Sequence, residues 1–355
     1  MRILPGTTRL VGWFLCAFLL AACVLEGGGT APETSLTDGD YRPVRPVAPP
    51  GWPQIKWPSE NPYSSAKAIL GRRLFFDARL SLTRDRACSW CHAPAAAFSD
   101  PRHPPLSVGV GQGITTRNSP VLANLVFASS SMLDGRSATL EEQALGPLFA
   151  HNEMAMTESE IVGRLSSDTA YIRLFAQAYG DEDVTLIRVT RALATYQRTL
   201  ISARSPYDRW RAGDSTALSA SAKAGFALFM NPENACASCH APPLFTDGGF
   251  HNIGLESSVI DSGRFLATGR VGDVGRFKTP TLRNIVETWP YMHDGRFESL
   301  EDLLAHYNRG GLPHSNRDPR IRPLDLSPDD IHDLIAFLES LTDSAFIALP
   351  QFQFP

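Results

Sequence analysis

Cysteine is scarce in this chain, at six of 355 residues, too few to be a general staple of the fold. A basic excess is missing as well. Lys and Arg number 33 against 37 Asp and Glu, for a net charge of -4. Nothing in that balance advertises a nucleic-acid partner, and the acidic surplus is too small to name another. No segment alternates apolar and polar residues as a half-buried strand would, which removes an all-β reading. What remains is a length that fits about two domains, helical periodicity and four of the six cysteines in two short motifs.

The N-terminus reads as a leader. Arg2 and Arg9 flank a short start, and "LVGWFLCAFLLAAC" then runs apolar to Cys23. A basic start, a short apolar run and small residues before a cleavage point mark a secretory signal over residues 1–22. Leu20-Ala21-Ala22-Cys23 resembles the bacterial lipobox, with cleavage before Cys23 and a lipid on that cysteine. Lipid chains would hold the protein at a membrane surface without spanning it. An ordinary signal peptide or an uncleaved anchor are the alternatives. In each case the mature chain leaves the cytoplasm, so a periplasmic lipoprotein is expected. Residues 23–60, rich in Gly and Pro, read as an extended tether.

Beyond the tether the chain reads as mainly α. A helix capped at Ser64 or Ser65 is expected through "AKAILGRRLFF". Another starts after Thr139 and stops near Gly146-Pro147. Further helices are expected in "TESEIVGRLSSD", "DTAYIRLFAQAYG" and "DVTLIRVTRALATYQRTLI", whose Leu186, Val189, Leu193, Tyr196 and Leu200 share one face. "SASAKAGFALFM", "SLEDLLAHYNRGG" and "SPDDIHDLIAFLESL" follow, the last capped by Ser327 with acids in its first turn.

The chain echoes itself. "ILGRRLFF" precedes Cys88-Ser89-Trp90-Cys91-His92, and "AKAGFALFM" precedes Cys236-Ala237-Ser238-Cys239-His240. "APAAAFSD" follows the first pentad and "APPLFTD" the second. The shared order implies two domains on one plan, 61–205 and 206–345, with the boundary near 201–215 and a tail over 346–355.

CxxCH is the pattern for covalent c-type haem: two thiols bond the vinyl groups and the adjacent His ligates iron. A zinc site would bring two CxxC pairs close together. A thioredoxin-like CxxC would follow a strand. Neither fits two distant pentads that each end in His. Two covalent haem c groups are expected, on Cys88, Cys91 and His92 and on Cys236, Cys239 and His240.

"LGRRLFFDARLS", "RNSPVLANLVF", "DGRSATLEEQALGP", "NEM", "FKTPTLRNI" and "PYMHDGRF", in that order around the two pentads, resemble the bacterial di-haem cytochrome c peroxidase superfamily and its MauG-like branch. The resemblance covers residues 61–345. It implies two cytochrome c-like domains with long loops. It makes the first haem the peroxide-reacting one, beneath Gln143, Pro147 and Glu153. A carboxylate over the iron can accept and return the proton that peroxide cleavage requires. On residue type alone, Gln143 and Glu153 would read as solvated helix and loop residues.

The resemblance also implies a six-coordinate second haem with Tyr307 as distal ligand, the alternatives being Met292 or His293. Two positions depart from the family. Val110 stands where many members carry a blocking His, which implies an open first iron; His103 reads as a surface loop residue. Leu133 stands where a relay Trp is usual. Direct tunnelling, or relay through Trp289 or Trp90, remain open. A Ca2+ on Asn118 and the carbonyls of Thr288 and Pro290 is implied between the domains.

The function implied is H2O2 reduction at the first haem. Electrons would arrive through the second from a small c-type cytochrome or cupredoxin. MauG-like oxidation of a partner protein's side chains is the alternative, and a non-enzymatic electron-transfer cytochrome is the rival from another class. A homodimer is the oligomer that the family suggests.

Overall fold

Helix caps set where the elements begin. In the computed structural model, which describes residues 41–348, Ser64 accepts a hydrogen bond from Lys67 N and starts α1 (Ser65–Phe75). α2 (Cys88–Cys91) carries the first pentad. α3 (Leu140–Phe149) starts at Thr139, and α4 (Glu158–Ser166) has a capping box between Thr157 and Glu160. α5 (Thr169–Tyr179) stops on Gly180, and α6 (Leu186–Arg198) closes the first half. α7 (Pro206–Arg211) and α8 (Ala220–Met230) open the second half, followed by the single turn α9 (Phe265–Thr268). α10 (Leu300–Asn308), α11 (Pro328–Glu339) and α12 (Ser344–Ala348) complete it. The strands among the described residues are β1 (Phe250–His251) and β2 (Phe277–Lys278), one antiparallel pair. The proposed signal, Cys23 and the tether as far as residue 40 lie outside the described residues, as does 349–355.

α3 overruns the stop expected at Gly146-Pro147. Pro147 lacks an N–H and costs one helical bond. The last turn is held from outside instead, because the carbonyls of Pro147 and Leu148 accept from Met154 N and Met156 N.

The echo in sequence is an echo in packing. α1 crosses α6 and α8 crosses α11, each at a glycine. A Cβ on Gly71 would lie 2.0 Å from the Ala192 carbonyl oxygen, and one on Gly225 would lie 1.9 Å from that of Asp333. Only a bare Cα permits so close a crossing. Phe75, Phe98 and Tyr196 fill the first core, and Phe229, Phe245 and Phe337 the second.

The start of the expected boundary, 201–205, runs between the halves, with Ser202 and Ser205 buried and Arg204 exposed. Asn124 and Asn284, both left-handed at φ 63° and 61°, flank it. Asn124 exchanges two hydrogen bonds with the Ser202 backbone, and Asn284 Nδ2 donates to Ser202 Oγ. The Asp343 carboxylate accepts from the N–H groups of Ala203 and Arg204. Backbone groups buried at such a joint must be paired, and these are.

Both ends of the described chain pack onto the body. From Tyr41 to Glu60 the chain forms no helix or strand and turns at Gly51, where Trp52 N donates to the Pro49 carbonyl. Tyr41 packs edge-on against Tyr196. Trp52 sits 5.5 Å from Phe127 of the first half and 4.4 Å from the fully buried Arg283 guanidinium of the second. Phe346, placed in the tail, is fully buried 5.5 Å from Phe98. An apolar ring stays inside wherever the chain can bring it.

Candidate functional site

The first pentad forms one helical turn, α2, which turns both thiols and the following His toward a single space. His92 Nδ1 lies 3.0 Å from the Phe98 carbonyl. A carbonyl only accepts, so Nδ1 carries the proton and the Nε2 lone pair is left for a metal. Burial lowers the His92 pKa, keeping the ring neutral as ligation requires. Phe98 takes a left-handed φ of 64° to present that carbonyl. The second pentad repeats the device: His240 Nδ1 lies 3.0 Å from the Phe245 carbonyl, and Phe245 has φ 54°. The shared Phe of the two "AP…F" tails thus acts through its backbone, a role that its side-chain type does not disclose.

Cys88, Cys91 and His92 line one cavity together with Gln143, Pro147 and Glu153. Gln143 and Pro147 come from α3, and Glu153 from the loop after it. That loop is fixed by the Gly-rich stretch of the first half. Val110 N donates to the Glu153 carbonyl at 2.9 Å, and a Cβ on Gly109 would stand 2.2 Å from the Asn152 carbonyl oxygen. Burial pushes the Glu153 carboxyl above the ordinary glutamate range, and Arg136 offsets this only in part. Val110 is buried against this loop, and His103 lies elsewhere, stacked on Trp289 at 4.1 Å.

Sequence reasoning did not find Gln197, whose buried Oε1 has no hydrogen-bond partner, although it lines the same cavity. Its position on the α6 stripe hid it, because a polar residue there reads as a break in the apolar face. Next to it Arg198 holds Glu141 by two bonds of 2.6 and 2.8 Å, pinning α3 to α6.

At the second site Tyr307 lies on α10 close to Cys236 and Cys239. Burial, and then those two thiols, push its phenol pKa well up. No hydrogen bond to Tyr307 Oη forms among the described residues, which leaves that oxygen for a ligand. Asn124 and Asn284, Gly135 and Gly295, and Thr139 and Ser299 share one register between the halves. In that register Tyr307 stands where Pro147 stands in the first half. His293 is buried and stacks on Phe277 at 3.8 Å, with Nδ1 unpartnered.

Leu133 abuts the second half. Its carbonyl accepts from Lys278 N at 2.7 Å, and the Lys278 ammonium bonds the Ser130 carbonyl. Asn118 N donates to the His293 carbonyl at 2.8 Å, and His103 Nδ1 bonds the Trp289 carbonyl. Asn118 Nδ2 reaches the carbonyls of Pro104 and Pro105, which leaves Oδ1 as its available oxygen. The loops carrying Asn118, Thr288 and Pro290 therefore meet, at the junction of the halves. Among the described residues no helix is long and apolar enough to cross a membrane.

Comparison with known proteins adds a family. A family model described as di-haem cytochrome c peroxidase matches residues 65–216, and one described as cytochrome c matches 222–342. The methylamine utilization protein MauG of Methylorubrum extorquens is 38% identical over 99% of this chain and 99% of its own length. The cytochrome c551 peroxidase of Pseudomonas aeruginosa is 33% identical over 79% of this chain and 80% of that protein. The crystal structure of a MauG-like protein associated with microbial copper homeostasis superposes with TM-score 0.80 at 33% identity, covering 87% of this chain and 98% of that one.

Proposed function

Because this chain belongs to the di-haem cytochrome c peroxidase family, we propose that it reduces H2O2 at the haem of its first half, drawing electrons through the haem of its second. The family makes it a peroxidase-like oxidoreductase with two c-type haems. The observation that carries the finer reading is the single cavity shared by the first CxxCH, Gln143, Pro147 and the burial-raised carboxyl of Glu153.

The chain's own residues divide the work. Cys88 and Cys91 hold the first haem, and His92 is oriented by the Phe98 carbonyl to ligate its iron. When bound, that group supplies the metal that accepts a peroxide oxygen and the electrons that cleave the O–O bond. Glu153 takes a proton from the near peroxide oxygen and delivers it to the far one, so water can leave. A carboxyl whose pKa is raised toward neutrality performs both transfers best. Gln143 holds the peroxide by its amide, and Pro147 keeps a ligand side chain out of the space that Tyr307 fills in the other half. Tyr307 would hold the second iron through its Oη, the metal supplying the charge that the buried phenol needs to lose its proton. Asn118 Oδ1 with the Thr288 and Pro290 carbonyls would hold Ca2+, a hard cation suited to neutral oxygens.

A second reading has a specific basis. Tyr307 and Val110, with MauG among the relatives, speak for oxidation of a partner protein, whereas Leu133 at the place of the usual relay Trp speaks against it and leaves peroxide reduction first. The leader supports export to the periplasm and a lipid on Cys23. Peroxide turnover by the haem-loaded protein, with a c-type cytochrome as donor, tests the first reading. Rapid turnover supports it. Peroxide consumption without donor oxidation, alongside oxidation of a partner protein, would replace it with the second.

A further inference from the structure

Trp90 is placed differently from every other side chain around the first cavity. It lies between the two haem-bonding cysteines in sequence and lines the cavity, yet 37% of its surface faces solvent. Among the described residues lining that cavity, it is the one aromatic side chain that is both readily oxidised and exposed. Phe75 is buried and resists oxidation, and Met154 is buried.

The groups around the ring define what an oxidised Trp90 could do. Arg86 and Arg102 each place a guanidinium carbon 4.1 Å from the ring centroid. Such contacts stabilise the neutral ring and oppose a positive charge on it. The indole Nε1 donates to the Val108 carbonyl at 3.1 Å, and a carbonyl is no base for its proton. A hole on Trp90 would therefore be high in energy and would not be trapped by proton loss. It would move on, which suits a relay and not a sink.

We propose that Trp90 is a surface port for the first haem, through which an outer-sphere one-electron reductant re-reduces it without passing through the second haem. The inference rests on the peroxidase reading, in which peroxide supplies the oxidising equivalents. The step is one electron from the Trp90 indole to the oxidised first haem, then one from the reductant to Trp90. No bond forms or breaks, and the Nε1 proton stays in its hydrogen bond to Val108. The exposure of Trp90 makes the port accessible, and its place between Cys88 and Cys91 on α2, lining the same cavity, would set it beside the bound haem.

The test uses the haem-loaded full chain and ferrocyanide as the reductant. In sequential-mixing stopped flow, peroxide first oxidises the protein, and the return of the first-haem Soret band after ferrocyanide is timed. Trp90→Phe is expected to return at least tenfold more slowly, with its resting Soret band unshifted. A Trp90→Phe rate within twofold of wild type overturns the port, as does slowing accompanied by a shifted resting Soret band, which would mean lost structure. A wild-type Soret band that peroxide leaves unchanged would defeat the peroxidase reading separately. The port is then judged by flash-quench oxidation of the ferrous protein with a photogenerated ruthenium(III) trisbipyridine, which needs no peroxide. The same tenfold slowing in Trp90→Phe supports the port, and equal rates overturn it.

Discussion

Glu153 shows how much a single side chain owes to its neighbours. Its type and its distance from Gln143 are visible in the sequence. The burial that raises its pKa is not, because that depends on Val110 and Gly109 bringing the loop of Asn152 inward. Glu153→Gln keeps the shape and removes the proton carrier. The peroxide step should slow by about 10²–10⁴-fold, the range for a lost general acid–base group, read as the pre-steady-state rate. The same burial sets a pH dependence. A carboxyl with a raised pKa stays protonated to higher pH, so its base form is lost earlier on acidification. The acid limb of the peroxide rate should therefore lie above the ordinary glutamate range, and Glu153→Gln should flatten it. For Tyr307 the expected outcome of Tyr307→Phe is an altered second-haem absorption band with the first-haem band unchanged. The pairing of Tyr307 with Pro147 is hidden from residue type, because Tyr and Pro share no chemistry. It follows from the register that lays Asp134-Gly135-Arg136 on Asp294-Gly295-Arg296 and Asn124 on Asn284.

Helices were the most legible level. Ser64, Thr139, Ser299 and Ser327 cap helices as the sequence indicates, since a cap needs only local residues. The end of α3 was misread because Pro147 is tolerated by contacts from Met154 and Met156, which lie outside the helix. The glycine crossings carry a prediction of their own. Gly71→Ala and Gly225→Ala should each destabilise the haem-loaded protein by at least ~1–3 kcal/mol, the usual penalty of overpacking, since each new methyl would meet rigid backbone. Gly163→Ala is the control, because nothing lies within 4 Å of its added Cβ. Denaturation midpoints should fall for the first two and not for the third.

For the molecule as a whole, the two-domain plan was legible from the repeated pentads, but the way the halves join was not. The joint is made by buried amides and by segments that composition assigned to the margins. Trp52 bridges Phe127 and Arg283 although its stretch reads as a tether, and Phe346 enters the first core although it reads as a tail. Trp52→Ala should cost on the order of 1–3 kcal/mol through the lost ring and cation contacts, seen as a lower unfolding midpoint. The central claim concerns the asymmetry between the sites: one iron open beneath Gln143 and Glu153, the other closed by Tyr307. Room-temperature resonance Raman of the oxidised, haem-loaded protein tests it most directly. The account predicts one high-spin and one low-spin haem in equal amounts, and two low-spin haems with no high-spin population would contradict it.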